Sequence, residues 1–186
     1  WNPRPFEVAE PKRADGAVGG STADFPQNAI EGTDLDAVYQ TVRYNLAGYH
    51  LAVPNGSHQV TLQFCEPHYA AAGKRIFQVH LQGGRVIERL DIFDRVGQNH
   101  ALDLTFTNVA VPNGWLDIEF LPIVEFPSIA GIVVSGEGLT RRINCGGPAA
   151  QDYAADEVGS SSATVPPRVD DFYFDWAVHE FGPEVG

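Results

Sequence analysis

The chain predicts an all-β fold of the β-sandwich class, and three observations carry that prediction. Between Ala37 and Val134, short stretches alternate apolar and polar residues. Turn-forming sequences separate them: PNGS at 54–57, GG at 83–84 and PNG at 112–114. A helical period is almost absent from the same span, so about seven to nine strands result.

Taken in order, residues 37–44 (AVYQTVRY) set Val38, Gln40 and Val42 against Tyr39, Thr41 and Arg43, and residues 49–53 (YHLAV) run into the first turn. Residues 58–66 place Val60, Leu62 and Phe64 on one face and Gln59, Thr61 and Gln63 on the other. Residues 75–82 (RIFQVHLQ) offer either Ile76 or Phe77, Val79 and Leu81 to a core. Residues 85–92, 102–111, 115–123 and 128–136 complete the alternating set, and residues 142–145 add one short strand. Residues 1–37, rich in Pro, Gly, Ala and Asp, read as ordered loop with at most a short strand. One helix is expected, at the C-terminal end: Phe174, Ala177, Val178 and Phe181 are spaced i, i+3, i+4 and i+7, Asp170 or Asp171 can cap it, and Gly182-Pro183 ends it. The expected division is a sandwich over 1–138, then an additional strand, a linker and this helix over 139–186.

The 186 residues suit one ordinary domain with an appendage. No apolar run approaches the ~20 residues that span a bilayer, so no membrane partner is expected. A formal net charge of -12 argues against a nucleic-acid partner, because affinity for phosphate backbones comes largely from Lys and Arg. Met is absent, and the chain opens on WNPRPF without a charged-then-apolar leader, which reads as a processed or excised fragment. Cys65 and Cys145 have neither metal nor redox spacing and are read as two buried reduced thiols, a disulfide between them being the alternative. The six histidines are scattered one per element, so spacing shows no metal triad, and no cofactor is expected. Asp and Glu total 24, yet nothing singles out the facing pair that glycoside hydrolysis needs. No nucleophile elbow, zinc-protease or phosphate-loop motif occurs, so the chain is not expected to be an enzyme.

The stretches VYQTVRYN, LQFCEPHYAAAGKRIFQVHLQGGRVIERLDIFDRVG and VPNGWLDIEF resemble the malectin domain family and its relatives in carbohydrate-active enzymes, over about residues 32–134. LDIFDRVG is the most specific piece. The resemblance implies a jelly-roll β-sandwich that binds glycan without cleaving it, through aromatic side chains on loops at one edge. It assigns ligand contact to Tyr39, to the consecutive pair His68 and Tyr69, and to Glu125 with Phe126 beside it; Phe25 is a weaker candidate for a further ring.

The residue types suit that task. A sugar offers an apolar C–H face and a rim of hydroxyls, matched by an aromatic plate with carboxylate or imidazole partners. Tyr39 could equally be a core aromatic, and Glu125 a solvated charge. Glu66 is read as structural, accepting backbone hydrogen bonds at a strand end, and Asp91, Asp94 and Arg95 as a turn held by an Asp bonded to backbone and an Arg pair, not as a catalytic set. Lys74, Arg75 and Arg43 are the nearby cations.

In the resembling family an element like INCGGP opens the domain, whereas here it follows the sandwich at 143–148. It either fills the slot of a missing first strand or begins a second, truncated unit. The expected partners are a carbohydrate ligand and a glycoside hydrolase catalytic domain of the same parent chain, in a secreted or periplasmic protein of polysaccharide degradation. The alternative is a structural accessory domain whose sugar site is degenerate.

Overall fold

A computed structural model describes residues 13–160. The predicted C-terminal helix lies outside the described residues. The elements are β1 (Gly16–Asp24), α1 (Asp36–Tyr39), β2 (Thr41–Ala52), β3 (Gly56–Phe64), β4 (Ile76–Leu81), β5 (Gly84–Leu90), α2 (Ile92–Val96) and β6 (Leu102–Val111). They continue with β7 (Trp115–Val124), β8 (Ser128–Ile129), β9 (Gly131–Gly136), β10 (Leu139–Asn144), β11 (Ala154–Ala155) and β12 (Val158–Ser160). One sheet has the order β12-β1-β2-β7-β4-β5, with β8 also on β2; the other runs β11-β10-β9-β3-β6. The chain is an all-β sandwich.

Alternation sets the core. Val60, Leu62 and Phe64 of β3 pack against Leu116, Ile118 and Phe120 of β7 and Phe77, Val79 and Leu81 of β4, all within one buried cluster. The choice left open for β4 therefore falls to Phe77, Val79 and Leu81, while Gln78 and His80 point to the opposite face. Burial of such side chains stabilises by about 1.5–3 kcal/mol each.

Three elements differ from the sequence reading. Residues 37–44 are not one strand: α1 occupies the first half, and β2 then runs on through the second predicted stretch to Ala52. Val38 and Tyr39 are adjacent and both buried, which a half-buried strand cannot do because neighbouring side chains face opposite ways. The second difference is β1, nine residues where a loop was expected. Glycine disfavours strands in general, but here it permits close strand approach. A Cβ at Gly20 would lie 2.8 Å from the Tyr44 carbonyl oxygen, and one at Gly16 would lie 2.4 Å from that of Glu157. The third is α2, where Asp91 caps by accepting from the Asp94 N–H at 3.1 Å and also holds the Gly73 N–H at 2.5 Å. Asp91 thus does hold a turn, but the turn is helical.

Residues 139–160 are built into both sheets. β10 returns antiparallel to β9, and β12 lies parallel to β1. Asp156 fixes this segment: its carboxylate takes Arg43 Nε at 2.5 Å, Tyr49 OH at 3.1 Å and the Gly146 N–H at 2.7 Å. Arg43, expected among the cations near the glycan loops, is thus a buried structural cation committed to Asp156 and the Gly19 carbonyl.

Cys65 and Cys145 are free, buried thiols. Burial, followed by the Glu66 charge, pushes Cys65 from 9.0 up to about 12, and burial likewise raises Cys145. A raised folded-state thiol pKa favours the protonated fold, so this contribution is intact below pH 9.0 and is lost as pH rises towards about 12. The urea midpoint is expected to fall over that window, and a Cys65→Ala/Cys145→Ala variant should show a smaller fall.

Candidate functional site

The stretch following β3 is organised around a buried carboxylate. Glu66, 1% exposed at its side chain, receives the His68 N–H at 3.1 Å and the Tyr69 N–H at 3.0 Å on Oε1. Its Oε2 receives Arg75 Nε at 2.7 Å. The structural reading of Glu66 is correct, with Arg75 as a further partner. The Asn99 N–H bonds the Glu66 carbonyl, while the Asn28 and Gln98 side-chain amides donate to the Pro67 carbonyl. These contacts hold His68 exposed and Tyr69 half-buried, their rings edge to face with centroids 4.7 Å apart.

On the other side, β7 ends at Val124 and the chain turns at Glu125, whose φ of 55° lies in the left-handed region. The Asn45 N–H donates to the Pro127 carbonyl at 3.1 Å and Tyr44 stands in register with Ser128, so β2 carries Tyr44 alongside the 125–127 turn. Arg75 joins the two loops. Its guanidinium lies 5.1 Å from the Tyr69 ring centroid, and its Nη1 donates to the Phe126 carbonyl.

Between the loops is a cavity of about 410 Å³ lined by Phe25, Tyr44, His68, Tyr69, Glu125 and Phe126, with Arg75 in its wall and Ala23, Val42 and Pro67 completing it. Four of the five predicted contacts, His68, Tyr69, Glu125 and Phe126, therefore meet, and the weaker candidate Phe25 joins them.

Tyr39 does not. It is 1% exposed, in a second core cluster with Ile30, Val38, Val42, Cys65, Ala130 and Tyr153. Its hydroxyl donates to Asp103 and accepts from Gln63 Nε2 at 2.8 Å. Burial, then Asp103, drives its pKa far up. Tyr44 occupies the cavity instead. The sequence offered it as a second tyrosine five residues on within the same stretch, but reading 37–44 as one unbroken strand concealed it.

A larger open groove of about 740 Å³ follows the β5 and β6 edges past Arg89, Arg95 and Phe106. It contains none of the predicted contacts. The smaller cavity is the better site because rings and hydrogen-bonding groups converge on it. Among the described residues no cluster of three or more His, Cys, Asp or Glu is placed to hold a metal ion, and no helix is long and apolar enough to cross a membrane.

The family model of the malectin domain matches residues 12–130, more than half of the chain. The chain belongs to the malectin domain family. Human malectin is 41% identical over 69 residues, covering 36% of this chain and 24% of that protein, so the malectin domain here spans about a quarter of that relative's length. Among solved structures, Bacteroides uniformis beta-glucuronidase superposes with a TM-score of 0.60 at 22% identity, over 72% of this chain and 15% of that one. The ANXUR2 extracellular domain from Arabidopsis thaliana gives 0.57 at 15% identity, over 81% and 44%. At such identities the two structures share the fold of this malectin domain.

Proposed function

We propose that this malectin domain is a noncatalytic carbohydrate-binding module that takes a neutral glycan in the cavity between the 66–75 and 125–127 loops. The observation that supports it most is the convergence of Tyr44, Tyr69, Phe126 and Phe25 with His68 and Glu125 on one concavity. The rings offer plates to sugar C–H faces, and imidazole and carboxylate offer hydrogen bonds to hydroxyls, worth roughly 1.5–3 kcal/mol when the partner is charged. Tyr44 takes the role the sequence reading gave to Tyr39.

Titration calorimetry against glucose, galactose, mannose and xylose oligosaccharides tests this. Binding in the micromolar to millimolar range is expected, and Tyr69→Ala should weaken it by about 10-fold or more. Absence of binding to every neutral oligosaccharide overturns the proposal.

Charge selects against acidic sugars. The wall cation Arg75 is already bonded to Glu66, to the Phe126 carbonyl and to the Tyr69 face, and the chain as a whole carries a net charge of -12. Uronate oligosaccharides are expected to bind at least about 10-fold more weakly than neutral ones of equal length at low salt, with the gap narrowing as salt screens the charges. Equal affinity at low salt would contradict it.

The wider setting follows from the same reading: a module of a larger glycoside hydrolase, outside the cell or in the periplasm, where it targets or supports a catalytic domain of the parent chain. The glycoside hydrolase among its structural neighbours and the extracellular setting of the plant one support that placement.

A further inference from the structure

We infer that Glu66, which is not among the residues lining the cavity, is the positioning residue of the glycan site, coupling its two loops through Arg75. This rests on the glycan reading above. Both carboxylate oxygens are committed. One accepts the backbone N–H groups of His68 and Tyr69, the two residues that project into the cavity from the first loop; the other holds Arg75 Nε at 2.7 Å. Arg75 then reaches the second loop at the Phe126 carbonyl and lies against the Tyr69 ring. A single path thus links the backbone beneath His68 and Tyr69 to the backbone beneath Glu125 and Phe126. The pair is buried, with Glu66 1% and Arg75 10% exposed at the side chain, so these bonds form in a low-dielectric setting where alternatives with water are few.

The chemistry explains why a carboxylate stands at 66. Two backbone donors and a guanidinium converge on it, and a carboxylate accepts from several donors at once without offering one of its own. A Gln side chain would keep an oxygen for the two N–H groups but present an NH2 to Arg75 Nε, donor against donor. The guanidinium then loses the anchor that directs it to Phe126 and Tyr69, and the two walls of the cavity move independently. Preorganisation of the empty site is what this arrangement supplies, because loops ordered in advance need not be ordered by the ligand.

The test uses Glu66→Gln and the double variant Glu66→Gln/Arg75→Met, titrated with whichever oligosaccharide of the neutral panel the wild type binds most tightly. The single variant is expected to bind about 10-fold or more weakly. The double variant removes the uncompensated guanidinium and should regain much of the lost thermal stability, yet stay as weak in binding. In a Tyr69→Ala background, Glu66→Gln should add a smaller further loss than in the wild type, since part of its effect passes through that ring. Amide exchange gives a readout without ligand: in Glu66→Ala, which removes the acceptor altogether, the His68 and Tyr69 N–H groups should exchange at least about 10-fold faster while strands β3 and β7 hold their rates. Binding that recovers together with stability in the double variant, or wild-type affinity in Glu66→Gln, overturns the inference. If the wild type binds no oligosaccharide, the proposed function fails, and unchanged exchange at His68 and Tyr69 would separately overturn the positioning role.

Discussion

Replacing Arg43 by Met is expected to lower the unfolding free energy by about 3–5 kcal/mol, the usual cost of leaving a buried charge without its partner. Arg43 and Asp156 are 5% and 3% exposed at their side chains, and their 2.5 Å contact is the shortest ion pair in the described residues. Without the guanidinium, the Asp156 carboxylate keeps Tyr49 OH and the Gly146 N–H but has no opposing charge. The Gly19 carbonyl, which accepts from Arg43 Nη1 at 3.2 Å, also loses a donor. β1, β2 and the segment after β10 are all tied to this point, so chemical unfolding should remain one transition at a lower midpoint. A loss below about 1 kcal/mol, the range of an exposed pair, would show that this contact does not hold the segment.

The second large effect separates two tyrosines five positions apart. Tyr44→Ala removes a ring from the cavity and is expected to cost about 10-fold or more in glycan affinity while moving thermal stability little, since Tyr44 is half-buried. Tyr39→Phe should do the reverse. It strips the exposed Asp103 and the buried Gln63 of the hydroxyl they share; Gln63 Nε2 keeps its 3.4 Å contact with Asp103, so the cost is about 1 kcal/mol, and the glycan cavity is untouched. Calorimetric titration and thermal melts of both variants check this. Loss of binding in Tyr39→Phe at unchanged stability would return Tyr39 to the site and remove Tyr44 from it.

Those two tyrosines also mark the limit of what was legible in the chain. Period-2 patterning placed Val60, Leu62 and Phe64 on one face, and they lie in the core with Leu116, Ile118 and Phe120. It gave β6 its observed bounds, Leu102–Val111, because a strand with one wet face writes its orientation into consecutive residues. The pattern failed at Val38-Tyr39, where both neighbours are buried in a helical turn, and at β1, where glycines answer to the backbone of another strand.

For the candidate site, the sequence, through its resemblance to the malectin family, named four of the residues that the structure brings to one cavity. His68-Tyr69 and Glu125-Phe126 were named by the family resemblance, and at 68–69 the poor turn chemistry of a ring pair after a strand end pointed the same way. Only the tertiary structure decided which tyrosine accompanies them, that Phe25 joins them, and that Glu66 with Arg75 ties the loops together. Those facts depend on residues far apart in the chain coming together, as Arg75 and Phe126 do across 51 positions. A sequence encodes the direction of a side chain within its own element, whereas the distance between two elements is set by how the sheets pack.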